Sequence, residues 1–174
     1  ELIAKARESM LCAVQIFNNP NMLFKSESFV VLAIIAWTYL LHAYYRGLKI
    51  DYRYYKKSGI RKTYDKTKNG ADKYWELERF LDCSDCPIDK VTKENLKFLI
   101  GLRHEIEHQM TTRIDDYLSA RFQACCINFN YYIKELFGSD MGIDKHLSVS
   151  LQFSSISETE VKQLQQYSDL PRNI

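Results

Sequence analysis

Arg103, His104, Glu107 and His108 place a guanidinium, two imidazoles and a carboxylate within about one and a half turns of any helix that carries them. Imidazoles exchange protons near neutral pH, and a guanidinium holds anions through a fixed fork of donors. On a helical wheel Leu96, Leu99, Leu102, Ile106 and Met110 form the apolar stripe, and Arg103 borders it. His108 falls roughly 140° away from Arg103. A single packed face cannot take both, so joint action requires that the helix line a cleft or face a second chain. The plain alternative is an i,i+4 ion pair between Arg103 and Glu107, with His104, Glu105 and His108 solvated. A dinuclear metal site is disfavoured, because Arg103 repels a cation and His104 and His108 supply only two ligands. We expect no metal and no cofactor.

The cysteines offer less. There are five, Cys12, Cys83, Cys86, Cys125 and Cys126, an odd number. Cys83-Ser84-Asp85-Cys86 has a metal-binding spacing, but a structural zinc needs four ligands. The other close pair, Cys125 and Cys126, is adjacent and sits in a helical pattern. The expectation is a plain loop and free thiols in a reducing, cytoplasmic setting.

Residues 49–73 concentrate charge. Nine basic residues against three acidic ones give this segment +6, which leaves the rest of a +2 chain at −4. Tyr52, Tyr54, Tyr55 and Tyr64 interleave with the cations, and Ser58-Gly59 between Tyr-rich stretches predicts a β-hairpin. Cations meet phosphates and rings stack on bases, so Tyr54, Tyr55, Lys56, Lys57, Arg61 and Lys62 are candidate RNA-binding residues. A solvated loop without a ligand is the alternative.

The elements that must position these groups are mostly helical. Apolar residues make up 46% of 174 residues and charged residues 26%, which is globular usage. Six glycines and three prolines are too few for a turn-rich β-sandwich. Ile3, Ala6, Met10, Val14 and Phe17 mark a first helix that ends at Asn18-Asn19-Pro20. Ser26 or Ser28 is expected to cap a second helix, uncharged from Phe29 to Tyr45 and stopping near Gly47. That run invites a membrane reading, but Thr38, His42 and three tyrosines interrupt it, and a helix buried on all sides is preferred. A short helix is expected over 72–82, and a long one from a cap at Thr92 to about Met110. Another opens at Asp115 or Asp116, with Leu118, Phe122, Cys125, Phe129, Tyr132 and Leu136 on one face and Gly138 as its stop. Alternation from Leu147 to Phe153 predicts a strand, and Ser157 to Glu160 a cap for a terminal helix. The expected organisation is a helical domain over 1–138, with the insert at 49–73, and an extension over 139–174. Glu1 in place of Met reads as a processed or excised piece, and the charged stretch to Phe17 is no signal peptide.

Arg103 to His108 resembles the Arg–four residues–His motif of the HEPN superfamily, at the expected place on the penultimate long helix of a bundle. Ala6 to Met10, Phe17 to Pro20, Phe24 to Glu27 and Leu96 to His108 are similar to a bacterial HEPN-like family known only as a domain of unknown function. The resemblance covers residues 1 to about 138. It implies an all-α bundle of four to five helices, here with a β-hairpin insert and a strand–helix extension. It also implies a metal-independent endoribonuclease working as a homodimer, with RNA as substrate and an antitoxin or regulatory partner restraining it, in a toxin or antiphage-defence system. His108 would move the proton, Arg103 would stabilise the scissile phosphate, and His104 and Glu107 would orient them. Members silenced by tyrosine adenylylation carry Tyr two residues after the histidine, where this chain has Met110. The alternative is a non-catalytic RNA-binding or dimerisation module. No membrane association is expected. A nucleotide-binding role lacks its Gly-rich phosphate loop.

Overall fold

The computed structural model describes residues 1–59, 61–108 and 118–143. It is mainly helical, with one small two-stranded antiparallel sheet. The helices are α1 (Leu2–Asn18), α2 (Lys25–Gly47), α3 (Leu77–Leu81), α4 (Lys90–His108) and α5 (Ser119–Phe137), and the strands are β1 (Tyr55–Ser58) and β2 (Arg61–Tyr64).

The core forms where the apolar spacing says it should. Ala6, Met10, Val14 and Phe17 of α1 are buried, as are Phe122, Cys125, Phe129 and Tyr132 of α5. Between them runs α2, with Phe29, Val30, Ala33, Ile34, Ala36, Trp37, Leu40, Leu41 and Tyr45 all buried. It packs against α1, α3, α4 and α5, which explains most of its apolar sequence, but it is not buried on all sides, since Ile35 is exposed. By length and composition α2 is the one described helix that passes as a membrane span, but Phe29, Trp37, Leu40, Leu41 and Tyr45 face protein. Rings knit the layers together. Phe17, Phe29 and Phe122 cluster at 4.6–5.7 Å, and Trp37 meets Phe129 edge-on at 5.5 Å. The Trp37 indole N–H donates to the buried Cys125 Sγ at 3.2 Å.

The helix ends differ from expectation. Helix α2 starts at Lys25, without a side-chain cap, and Ser26 is fully buried inside it. It ends at Gly47, where the sequence places its stop, but the left-handed cap comes two residues later. The Lys49 N–H donates to Arg46 O and the Ile50 N–H to Tyr45 O, the paired bonds of a Schellman cap. Lys49, not a glycine, takes the left-handed position at φ 59°. Gly138 does close α5, at φ 100°, a conformation open to glycine and costly for other residues. A 3-10 turn at Ser139–Met141 then folds back, burying Ile143, whose N–H reaches Asn130 Oδ1 at 2.8 Å. The expected strand over 147–153, the helix after Ser157 and the helix start at Asp115 or Asp116 lie outside the described residues.

Candidate functional site

A carboxylate sets the start of α4. Asp89 Oδ1 accepts the N–H groups of Val91 and Thr92 at 2.8 and 3.0 Å, and its Oδ2 accepts the Thr92 hydroxyl at 2.6 Å. Thr92, the expected cap, is a buried partner within the first turn. The Tyr132 hydroxyl on α5 also donates to Asp89 Oδ2 at 2.7 Å and accepts the Asp89 N–H at 2.8 Å. These donors hold the Asp89 carboxyl down to about 2. From this anchor α4 runs 19 residues to His108. Leu96, Leu99 and Ile100 are buried, and Leu102 and Ile106 pack against the core.

The four candidate catalytic positions, Arg103, His104, Glu107 and His108, fall in the last six residues of α4. Arg103 is half-buried and His104 exposed. The side chains of Glu107 and His108 lie outside the described residues. The backbone separates Arg103 and His108 by about 7.5 Å along the axis and roughly 140° around it.

The candidate RNA-binding residues sit in a small β-module. Strands β1 and β2 pair Tyr55 with Tyr64, Lys57 with Lys62 and Ser58 with Arg61, as the Tyr-rich spacing predicts. The turn carries Gly59 at φ 61°. Residues 72–75, expected in a helix, instead return along the hairpin: the Tyr54 N–H donates to Lys73 O and the Trp75 N–H to Tyr52 O, both at 2.9 Å. Arg53 braces the module. Its guanidinium pairs with Asp51 at 2.9 Å and Asp72 at 3.0 Å, and lies 3.8 Å from the centre of the Tyr64 ring. The same guanidinium holds the Asp51 carboxyl well below the usual range, with help from the Tyr64 hydroxyl. Lys66 also pairs with Asp72. Tyr54, Tyr55 and Lys57 line a cleft of about 540 Å³ together with Arg53, Trp75 and Arg79. Lys62 stands 4.4 Å from the Tyr55 ring centre. Lys56 and Arg61 belong to the other face of the hairpin and are exposed.

The two sets are not brought together within one chain. Phe29 of α2 meets Phe122, and Trp37 meets Phe129 and Tyr132, so α2 and α5 run parallel. Asp89 meets Tyr132 and Asn95 meets Arg121, so α4 runs the opposite way. The Arg103–His108 turns therefore point to the α1–α2 corner, while the β-module follows from the far end of α2.

A domain of unknown function, DUF3644, matches residues 1–174. The chain belongs to the DUF3644 family. No curated protein and no solved structure matches it.

Sequence reasoning passed over one further histidine in this DUF3644 chain. His42, on α2, places Nε2 2.8 Å from Trp75 O, so that nitrogen carries the proton and donates. Its ring stacks on Tyr52 at 4.9 Å and meets Phe80 edge-on at 5.4 Å. Burial pushes its pKa down despite the carbonyl. His42 is thus a clasp between the bundle and the β-module. Cys83 and Cys86 are free thiols in the turn after α3, where burial pushes the Cys86 thiol up. Among the described residues no group of three or more His, Cys, Asp or Glu is placed to hold a metal.

Proposed function

We propose that this DUF3644 chain is a HEPN-type endoribonuclease that uses the 2′-hydroxyl of its own substrate as nucleophile. The observation that carries this reading is the position of Arg103 and His108 on the last turns of the penultimate long helix of a helical bundle. RNA brings its nucleophile with it, so the protein needs no Ser or Cys for attack. In this reading His108 exchanges the proton with the 2′-hydroxyl or the leaving 5′-oxygen. Arg103 stabilises the charge that develops on the phosphate. His104 and Glu107 orient the pair. The products are a 2′,3′-cyclic phosphate and a 5′-hydroxyl, formed without a metal ion.

The flanks of α4 support a homodimer. Two residues 140° apart serve one phosphate most easily when a second copy faces the helix. The α1–α2 corner, toward which these turns point, carries Leu23 at 84% exposure and Phe24 at 66%, an apolar pair suited to covering by protein. Such an enzyme must be restrained in its own cell, which fits a cytoplasmic toxin or antiphage effector with an antitoxin or sensing partner.

The test is cleavage of a labelled single-stranded RNA in EDTA. Wild type is expected to cut, and His108→Ala and Arg103→Ala to lose at least about a hundredfold in rate. Equal cleavage by wild type and His108→Ala would remove His108 from the mechanism. One observation favours a second reading, a non-catalytic RNA-binding module. The β-module lies away from Arg103 and His108 and has its own cleft. Under that reading none of the three proteins cuts, and all bind RNA alike.

A further inference from the structure

We infer that the cleft between β1 and α3 is a seat for one unpaired nucleotide of a single-stranded RNA, an assignment that deepens the RNA reading above and rests on it. One side comes from the hairpin, with Tyr54, Tyr55 and Lys57, and the other from the start of α3, with Trp75 and Arg79. Arg53 completes the lining but is already neutralised by Asp51 and Asp72, so it builds the site and leaves the ligand to others.

Three features select the ligand. First, three aromatic side chains share a space of about 540 Å³, within the range of small-ligand pockets. A planar base fills such a space by stacking, whichever base it is. Second, among the described residues Lys57 and Arg79 form no ion pair, and no carboxylate lines the cleft. The nearby Asp82 is engaged by Lys97 at 2.6 Å. Two cations beside aromatic rings call for an anion attached to a flat group. Third, the Arg79 guanidinium lies 5.3 Å from the centre of the Trp75 ring, which puts a phosphate-binding fork next to a stacking surface. An acidic peptide would satisfy the cations but waste the rings. A duplex would satisfy the cations but cannot offer a splayed base. Stacking accepts any base, so little sequence preference is expected.

The experiment uses the 174-residue chain and a short, fluorescein-labelled, 2′-O-methyl single-stranded oligonucleotide, which cannot be cleaved through its 2′ position. Anisotropy reports affinity, and tryptophan emission reports stacking, since Trp37 is fully buried and Trp75 is half-exposed. Binding is expected to quench Trp75. Lys57→Ala combined with Arg79→Ala changes two exposed positions, so the fold is kept. It should weaken binding by about tenfold or more. It should also flatten the slope of log affinity against log salt by about 0.7 for each phosphate that is no longer neutralised. Trp75→Phe should abolish the quench. Unchanged affinity in the double variant overturns the assignment, as does equal affinity for a duplex. Equal competition by a mononucleotide would make the cleft a free-nucleotide site, and equal competition by an acidic peptide a protein site; either overturns it. The cleavage assay is read separately. Cutting without cleft-dependent binding removes the cleft and keeps the nuclease, and cleft-dependent binding without cutting does the reverse.

Discussion

Asp89 is the residue on which the placement of Arg103 and His108 most depends, because it joins the start of α4 to α5. It accepts two backbone N–H groups and two hydroxyls, one of them 43 residues away on Tyr132. Replacing it by Ala should cost about 1–2 kcal/mol, the range for a lost N-cap with a further hydrogen bond. The cost depends on pH with a definite sign. The folded-state carboxyl sits at about 2, below its ordinary 3.8, so its contribution is complete above the ordinary value and fades as pH falls toward 2. Urea unfolding of wild type and Asp89→Ala should differ most near neutral pH, with the gap narrowing below pH 3.8. An equal gap at low pH would assign the effect to packing. The sequence reading gives the role of cap to Thr92, but the structure gives it to Asp89, fastened by Tyr132, whose nearness no local pattern reveals. Arg103 stands half-buried beside the apolar stripe, as the wheel places it.

Helices announce themselves by burial, and their ends by chemistry, and in this chain the first signal is the stronger. The stripes of α1 and α5 are legible in the sequence because each buries one face. The start of α2 is not, since both serines expected to cap it lie within the helix and Ser26 is buried, the apolar contacts of α2 outweighing capping preference. Residues 72–75 look helical through the spacing of Trp75, Leu77 and Leu81, yet the partner that claims them is Tyr52, far away in sequence. At the far end of α2, Lys49 occupies a backbone region that costs a side chain about 1–2 kcal/mol. Lys49→Gly removes that strain and gives back part of it as freedom of the unfolded chain. We expect a net gain of about 0.5–1 kcal/mol, seen as a higher urea midpoint at unchanged slope. A loss would mean that the lysine makes an interaction worth more than its strain.

For the whole molecule, the separation of the two candidate sets is the feature no sequence pattern contained. Charge run and motif are each visible in the order of residues, but their distance apart follows only from the opposed directions of α2 and α4. The β-module leaves and rejoins the bundle at a bonded pair, with the Trp75 N–H 2.9 Å from Tyr52 O. Replacing residues 53–74 by a short Gly-containing turn should therefore preserve cooperative thermal unfolding within a few degrees, while RNA affinity falls. Collapse of the fold would show that the bundle leans on the module beyond the His42 clasp. The central position of α2 has a further cost, paid in time. On a ribosome this 23-residue apolar helix emerges when, of its described neighbours, α1 is made and α3, α4 and α5 are not. About 70 more residues must follow before α5 arrives, roughly 4–14 s at ordinary elongation rates. Through that interval the nascent chain displays a segment that insertion machinery can take for a membrane anchor, and prompt pairing with α1 decides how much of it is on view.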